Sequence, residues 1–437
     1  MKYLFFAAVF SLAACGVDEN NNNGTSNNGV SNNNGTTAPN NGTSNNGVSN
    51  NNGTTAPNNG VSNNNGTTAP PDLVAEIKIS ALTTDFATKT DHQTFTFTLY
   101  TEKEALVEKT QTTIDGGDVG ISVGKDYYYI LNRGALGVFE GSIKIYDFDG
   151  NLEGEVDMND NIKDAVDVGD KIFVSSYESG MIQVIKKEGT TWTLSTPIDL
   201  NPLNPAAAIE GDDLDPEVDS IIANGNEVLV VLQTLTGFAS VEKSRVAVID
   251  AASETIVDQV AGGEADAVVL NYRNAFSGLI QVSPDTFAVG SIGDFTVLNA
   301  DAGIEILSKG NDGLYTSTAL INEEKLGQDL YSFVFTEDNA GFAVVGASFD
   351  QSQKLVAFEG GDLVALPGDI KSEDGERAIA QAGDYFALFA ITSTGATITL
   401  FDKTSGKALA TSPVVLQEGF KAPNLSITSV VGPANNL

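Results

Sequence analysis

Val246-Ala247-Val248-Ile249-Asp250 is an apolar run that ends in a carboxylate, Ala251-Ala252-Ser253-Glu254 is a polar break, and Thr255-Ile256-Val257-Asp258 returns as a second run. β-branched residues either side of a short polar break read as two antiparallel strands joined by a tight turn. The same grammar extends in both directions from Asp72 onward. Short stretches rich in Val, Ile, Phe, Tyr and Thr alternate with Gly, Asp, Asn and Ser, with little helical periodicity, so this part of the chain is all-β.

Further hairpins are read at Ile143 to Met158, turning at Asp149-Gly150, and at Gly303 to Ile321, Lys354 to Leu366 and Ile398 to Leu416; Met181 to Leu200 is a looser copy. Each is preceded by another apolar run, such as Lys171 to Ser176 or Glu227 to Leu232. Six units of roughly fifty residues therefore begin near Val119, Lys163, Glu217, Ala275, Gln328 and Glu376, a period that suits four-stranded propeller blades. A seventh unit is split. Ser426 to Val431 reads as an innermost strand with no hairpin after it, and Ala75 to Ile79, Thr94 to Tyr100 and Ala105 to Thr112 read as strands with no inner partner. The fold expected is an all-β, seven-bladed β-propeller of four-stranded blades over 72–437. Pairing of the N-terminal strands with the C-terminal strand closes it and protects the sheet edges.

The stretch from Val246 to Asp258 resembles the strand-turn-strand repeat of the bacterial YncE-like, or YVTN-type, propellers, in which an apolar strand ending in Val-Ile-Asp turns and returns through Thr-x-Val. The resemblance is good across this blade, fair at Ile143 to Met158 and Ile398 to Leu416, and implies the fold and an extracytoplasmic setting more than an activity. One tryptophan, Trp192, is too few for WD40 blades or for the tryptophan-rich quinoprotein dehydrogenases.

Two segments precede the domain. In residues 1–14, Lys2 is followed by an apolar run from Tyr3 to Phe10, too short to span a bilayer, and this reads as a signal peptide. The run ends in Leu12-Ala13-Ala14-Cys15, which resembles a bacterial lipobox and implies lipidation at Cys15, the only cysteine of the chain. Gly16 after the cysteine favours an outer-membrane destination, facing the periplasm or the exterior. Residues 15–71 are then a tether, in which Asn-Asn-Gly-Val-Ser-Asn-Asn-Asn-Gly-Thr-Thr-Ala-Pro occurs unchanged at 27–39, 45–57 and 58–70. Each copy offers one valine to bury, far too little to offset the entropy of ordering it. As a flexible coil of roughly fifty-five residues it would span about 40 Å on average, and about 190 Å when stretched.

With 58 acidic and 23 basic residues, the chain carries a formal charge of −35. Such a field repels phosphate backbones, so nucleic acid is not expected as a partner, whereas the membrane is expected through the Cys15 anchor. A protein or small-molecule ligand, if charge selects it, would be cationic. One histidine, His92, and one cysteine leave no set for zinc or multi-histidine sites; a surface-loop reading of His92 is the simplest, since no nucleophile-elbow Gly-x-Ser-x-Gly accompanies it. No cofactor is implied beyond a Ca²⁺ ion. The connectors into the innermost strands are acidic, with Asp212-Asp213-Leu214-Asp215 the densest, and Asp212, Asp213 and Asp215 offer hard oxygen ligands of the kind calcium takes. Asp147-Phe148-Asp149-Gly150-Asn151 reads as a hairpin turn before a half calcium loop. The function expected is a ligand- or protein-binding scaffold without enzymatic activity. A hydrolase using paired carboxylates in the funnel, and a structural or adhesive surface protein, are the alternatives.

Overall fold

In the computed structural model the described residues are 76–84, 92–100, 105–114, 118–134, 141–205, 215–235, 239–240, 242–260, 266–294, 300–337, 339–346, 353–368, 370–372, 376–392, 395–410, 412–418 and 424–431. The signal peptide, Cys15 and the tether expected from the sequence all lie outside the described residues.

The folded unit is built from antiparallel meanders. Consecutive strands make blade I (118–157), blade II (162–199), blade III (218–269), blade IV (278–322), blade V (329–364) and blade VI (376–418). The first strand of each blade lies against the first strand of the next, from Asp118–Val123 through to Glu376–Ala382. Asn424–Val431 lies between Glu376–Ala382 and Asp118–Val123, which brings this inner set of strands back to its start. That last strand pairs with Glu76–Thr84, which pairs with His92–Tyr100, which pairs with Ala105–Ile114. The expectation of seven blades is corrected in this respect: the chain builds six blades from consecutive strands, and the remaining four strands form a sheet drawn from both ends. A meander can be completed from a distant segment because an antiparallel ladder needs only a partner edge, not a covalent turn.

The middle strands explain the continuous apolar runs. In Glu227–Leu232 every residue after Glu227 is buried, with Val228, Val230 and Leu232 in the core shared with blade II, and Leu229 and Val231 in the core shared with blade IV. A strand sandwiched between two sheets has no wet face, so alternation is lost. The same face-to-face packing joins blade I to II through Ile143, Ile145, Ile172 and Val174, IV to V through Ile304 and Phe335, and V to VI through Val344 and Phe386. The other face of blade I presents Tyr128 stacked on Tyr146, with ring centroids 5.1 Å apart.

The outer strand of blade II is the looser copy expected, whereas that of blade III departs from its expected hairpin. In blade II the outer strand is broken into Thr191–Leu194 and Ile198–Asp199, both paired with Met181–Glu188. In blade III the return from Asp250 is only Thr255–Ile256, and Val268–Val269 pairs further along the same third strand, Arg245–Asp250. In blade III the cause is in part tertiary: Gln259 leaves the ladder to accept the Tyr315 amide of blade IV at 3.0 Å, and the Asp258 carboxylate turns the chain by accepting the Val260 amide at 2.8 Å. Broken edges of this kind also discourage edge-to-edge association. The Asp147 loop is the hairpin turn expected, because one carboxylate oxygen accepts the amides of Asp149 and Asn151 at 2.9 and 2.8 Å and Gly150 takes φ 87°.

Candidate functional site

In an antiparallel pair the first strand begins where the second ends, so each blade brings two chain segments to the same end of the ring. Ile162 is in register with Ser176, and Val218 with Leu232. Residues at the start of the inner strands of blades II and III therefore meet residues just past their second strands: Lys163 and Asp164, then Asp219, are placed beside Tyr177 and Gln233. Phe276 reaches the same place from the connector into blade IV.

Asp219 is 2% exposed and holds the centre of this group. Its Oδ2 accepts from the Gln233 amide nitrogen at 2.7 Å, and the Tyr177 hydroxyl donates to Gln233 Oε1 at 3.0 Å. Lys163 Nζ stands 3.5 Å from the same Oδ2, 4.8 Å from the centroid of the Phe276 ring and 5.8 Å from that of Tyr177. A carboxylate and two aromatic faces thus surround one ammonium, an arrangement that stabilises a cation by charge and by ring quadrupole together. Asp164 ties three blades, accepting from Ser122 Oγ of blade I at 2.5 Å, from its neighbour Ala165 N at 2.9 Å and from Ile221 N of blade III at 3.0 Å. Burial pushes its carboxyl above the usual range in spite of these donors. Asp160 accepts from Ser179 Oγ at 2.7 Å and Gln183 Nε2 at 3.2 Å.

The backbone around this group is strained. Glu217, Thr234 and Asn274 take φ of 42°, 56° and 52°, and a β-branched threonine there is a rare conformation. Such positions cost on the order of 1–3 kcal/mol each and persist where the surroundings over-determine them. Here Thr234 donates its amide to Pro216 O at 3.0 Å and its hydroxyl to Lys243 O at 3.0 Å, while Leu235 N donates to the Glu217 carboxylate at 2.8 Å. Ser244 Oγ donates to Gln233 O and accepts from Ala275 N, both at 3.0 Å, and Asn274 Nδ2 donates to Gly293 O at 2.8 Å. These hydrogen bonds fix the backbone that carries Gln233 and Phe276.

At the same end of blade V stands Asp329, the first residue of the inner strand Asp329–Glu337, in register with Gly346. It is 4% exposed, its Oδ2 has no hydrogen-bond partner, and burial pushes its carboxyl up to about 6.

Of the residues expected from sequence, Cys15, Asp212 and Asp213 lie outside the described residues. Asp215 is half-buried and its main-chain oxygen accepts from Asn204 Nδ2 at 3.1 Å. Among the described residues no group of three or more His, Cys, Asp or Glu side chains could hold a metal ion. His92 opens the strand His92–Tyr100, in register with Ile114, and is placed in a ladder where a turn was expected. Several acidic connector residues satisfy the fold itself: Asp266 pairs with Arg245 at 3.1 Å and accepts the Ala267 amide at 2.8 Å. Reading the sequence singled out carboxylates and passed over Lys163, Tyr177, Gln233 and Phe276. The one signal available was a lone lysine inside the acidic connector Asp160-Asn161-Ile162-Lys163-Asp164.

No protein-family model matches the chain, and no curated protein matches it in sequence. Solved structures similar to it include a candidate 6-phosphogluconolactonase of Bacteroides uniformis, with 12% identity, 80% of this chain and 99% of that chain covered, and a TM-score of 0.53. A periplasmic gluconolactonase of Pseudomonas aeruginosa is similar at 12% identity, 80% and 99% coverage and a TM-score of 0.52. A protein from Lactobacillus plantarum is similar at 14% identity, 81% and 98% coverage and a TM-score of 0.52. At these identities the likeness concerns the fold alone, and together with the sheet topology it shows an all-β propeller with four-stranded blades.

Proposed function

We propose that this chain is a lipid-anchored propeller of the cell envelope that binds a cationic ligand where its inner strands begin, and that it works as a binding scaffold. The observation that carries this reading is the convergence of Asp160, Asp164, Asp219 and Asp329 at that end of blades II, III and V, in a chain of net charge −35. Three of these carboxylates are oriented by hydrogen bonds from serine, glutamine or backbone amides, which is preorganisation for a positive partner. The test is equilibrium binding of a tetralysine peptide at two ionic strengths. Binding that weakens with salt, and weakens again about tenfold in Asp160→Asn/Asp219→Asn, is the expected outcome; no binding in low salt rejects the reading.

The anchor rests on Leu12-Ala13-Ala14-Cys15, and Cys15→Ser should abolish palmitate labelling and release the protein from membranes. The repeat at Val246 to Asp258 keeps, in this reading, its likeness to the YVTN-type propellers.

A hydrolase is the second reading, favoured by Asp329. A buried carboxyl pushed up to about 6, with one oxygen unpartnered, is suited to general acid–base work near neutrality, and two of the similar structures carry lactonase names. Hydrolysis of a sugar lactone that disappears in Asp329→Asn would support it; an equal rate in both proteins would reject it.

A further inference from the structure

We infer that the Asp219, Tyr177 and Phe276 cage is an alkylammonium-binding subsite in which Lys163 acts as an internal occupant that an incoming amine displaces. The inference rests on the cationic-ligand reading above and names the chemistry and the residues of its recognition.

The structure seats an ammonium there. Lys163 Nζ lies 3.5 Å from a carboxylate that is 2% exposed, and within cation–π range of Phe276 at 4.8 Å and of Tyr177 at 5.8 Å. These groups come from three different stretches of the chain, and Gln233 fixes two of them by joining the Tyr177 hydroxyl to Asp219. The Tyr177 and Asp219 walls of the cage are therefore joined without the lysine that lies between them and Phe276. The Lys163 side chain is 25% exposed and arrives on a flexible four-carbon stem, so it can swing out without moving the ring of strands. Interblade lysines are not all held in this way. Lys171, for example, donates to the main-chain oxygens of Ala251 and Ala252 at 2.7 and 3.1 Å as well as pairing with Glu254, and so is tied to the backbone it bridges. Among the described residues, Lys163 is held by the Asp219 carboxylate and the two rings.

A tethered ammonium competes with any free one at an effective concentration in the millimolar range or above, so the intact protein should bind simple amines weakly. Only a ligand that adds contacts with the surrounding carboxylates, Asp160 and Asp164, would displace Lys163 well. The chemistry is shared by free alkylamines and by lysine side chains of a basic polypeptide.

The experiment is calorimetric titration of the full-length protein in detergent with pentylamine, and separately with tetralysine, in low salt. Four proteins are compared: wild type, Lys163→Met, Lys163→Met/Phe276→Leu, and Lys187→Met. Lys187 packs on Tyr127 and Trp192 at 5.2 and 4.9 Å, so its loss makes the same change of net charge at another aromatic pair. Pentylamine should bind Lys163→Met about tenfold more tightly than wild type, Lys187→Met within about twofold of wild type, and the double variant should lose most of the gain. If only tetralysine shows this pattern, the ammonium comes from a polypeptide; if pentylamine shows it, a free amine suffices; both support the subsite. Should Lys163→Met lose its cooperative melt, Lys163→Gln, whose amide still donates to Asp219, is titrated with the same expectation. If Lys163→Met and Lys187→Met bind alike, the cage is overturned while the acidic end of the ring remains the binding surface. If no protein binds either probe, both readings fall.

Discussion

Asp329 shows how a single residue can be costly to the fold and still be kept. Its folded-state pKa of about 6 lies above the roughly 3.9 of an unfolded aspartate, so the folded chain holds a proton that the unfolded chain gives up between those values. Raised pKa means stability is greatest below about pH 4, falls as pH rises through 6, and is level above, at a total cost of roughly 3 kcal/mol. Asp329→Asn removes the charge and keeps the shape. Its melting temperature should exceed that of wild type by several degrees at pH 7.5 and match it at pH 4, so equal melting curves at pH 7.5 would rule out a buried ionised carboxylate. The proposed hydrolase reading draws on this same buried carboxyl, whose Oδ2 has no hydrogen-bond partner.

Between elements, hydrophobic faces supply the adhesion and lysine clamps set the orientation. One clamp joins blade II to the turn of blade III, where Lys171 and Lys186 reach Glu254 at 2.7 and 2.8 Å. Hydrogen bonds from these two ammonium groups hold the Glu254 carboxyl below the usual range. The sign is opposite to that of Asp329: a depressed carboxylate contributes stability above the unfolded pKa of about 4.3 and loses it as pH falls through the folded value. Glu254→Gln should therefore destabilise by about 1 kcal/mol at pH 7, with the difference from wild type shrinking below pH 4 in urea melts followed by circular dichroism. A difference that persists unchanged in acid would show that the clamp acts by packing. A similar contact links blade IV to blade III, where Lys309 Nζ and Tyr315 OH approach the Glu227 carboxylate at 2.7 and 2.8 Å.

At the scale of the molecule, Asn424–Val431 pairs with Glu76–Thr84 and sits between the inner strands of blades VI and I. Deleting residues 424–437 would unpair one sheet edge and open the inner set of strands, exposing the face of blade I that carries Val119, Ile121, Tyr128 and Ile130. The expected result is a fall in melting temperature of about 10 °C or more and a gain of dye-binding apolar surface; a truncated protein that melts like wild type would disprove closure. The −35 charge acts at this scale too, because self-repulsion is spread over the whole fold and is relieved by salt.

Much of this architecture was legible in local pattern. β-branched runs such as Val228 to Leu232, turn residues such as Asp149-Gly150, and the fifty-residue spacing determine strands, hairpins and a blade period, because side-chain direction and turn chemistry act over a few residues. The split sheet was legible for the same reason, as an inner strand and three outer strands each lacking a partner. The site was not. Lys163, Tyr177, Gln233 and Phe276 span more than a hundred positions and are ordinary in their own neighbourhoods; only the antiparallel registers and the side-by-side arrangement of inner strands bring them within reach of Asp219. The outer strand of blade III departs from its expected hairpin because Gln259 accepts the Tyr315 amide of blade IV, a tertiary demand that no local propensity encodes. The sequence by itself determined the units and their order, through short-range physics, whereas which polar groups share a buried charge was decided only when the blades packed.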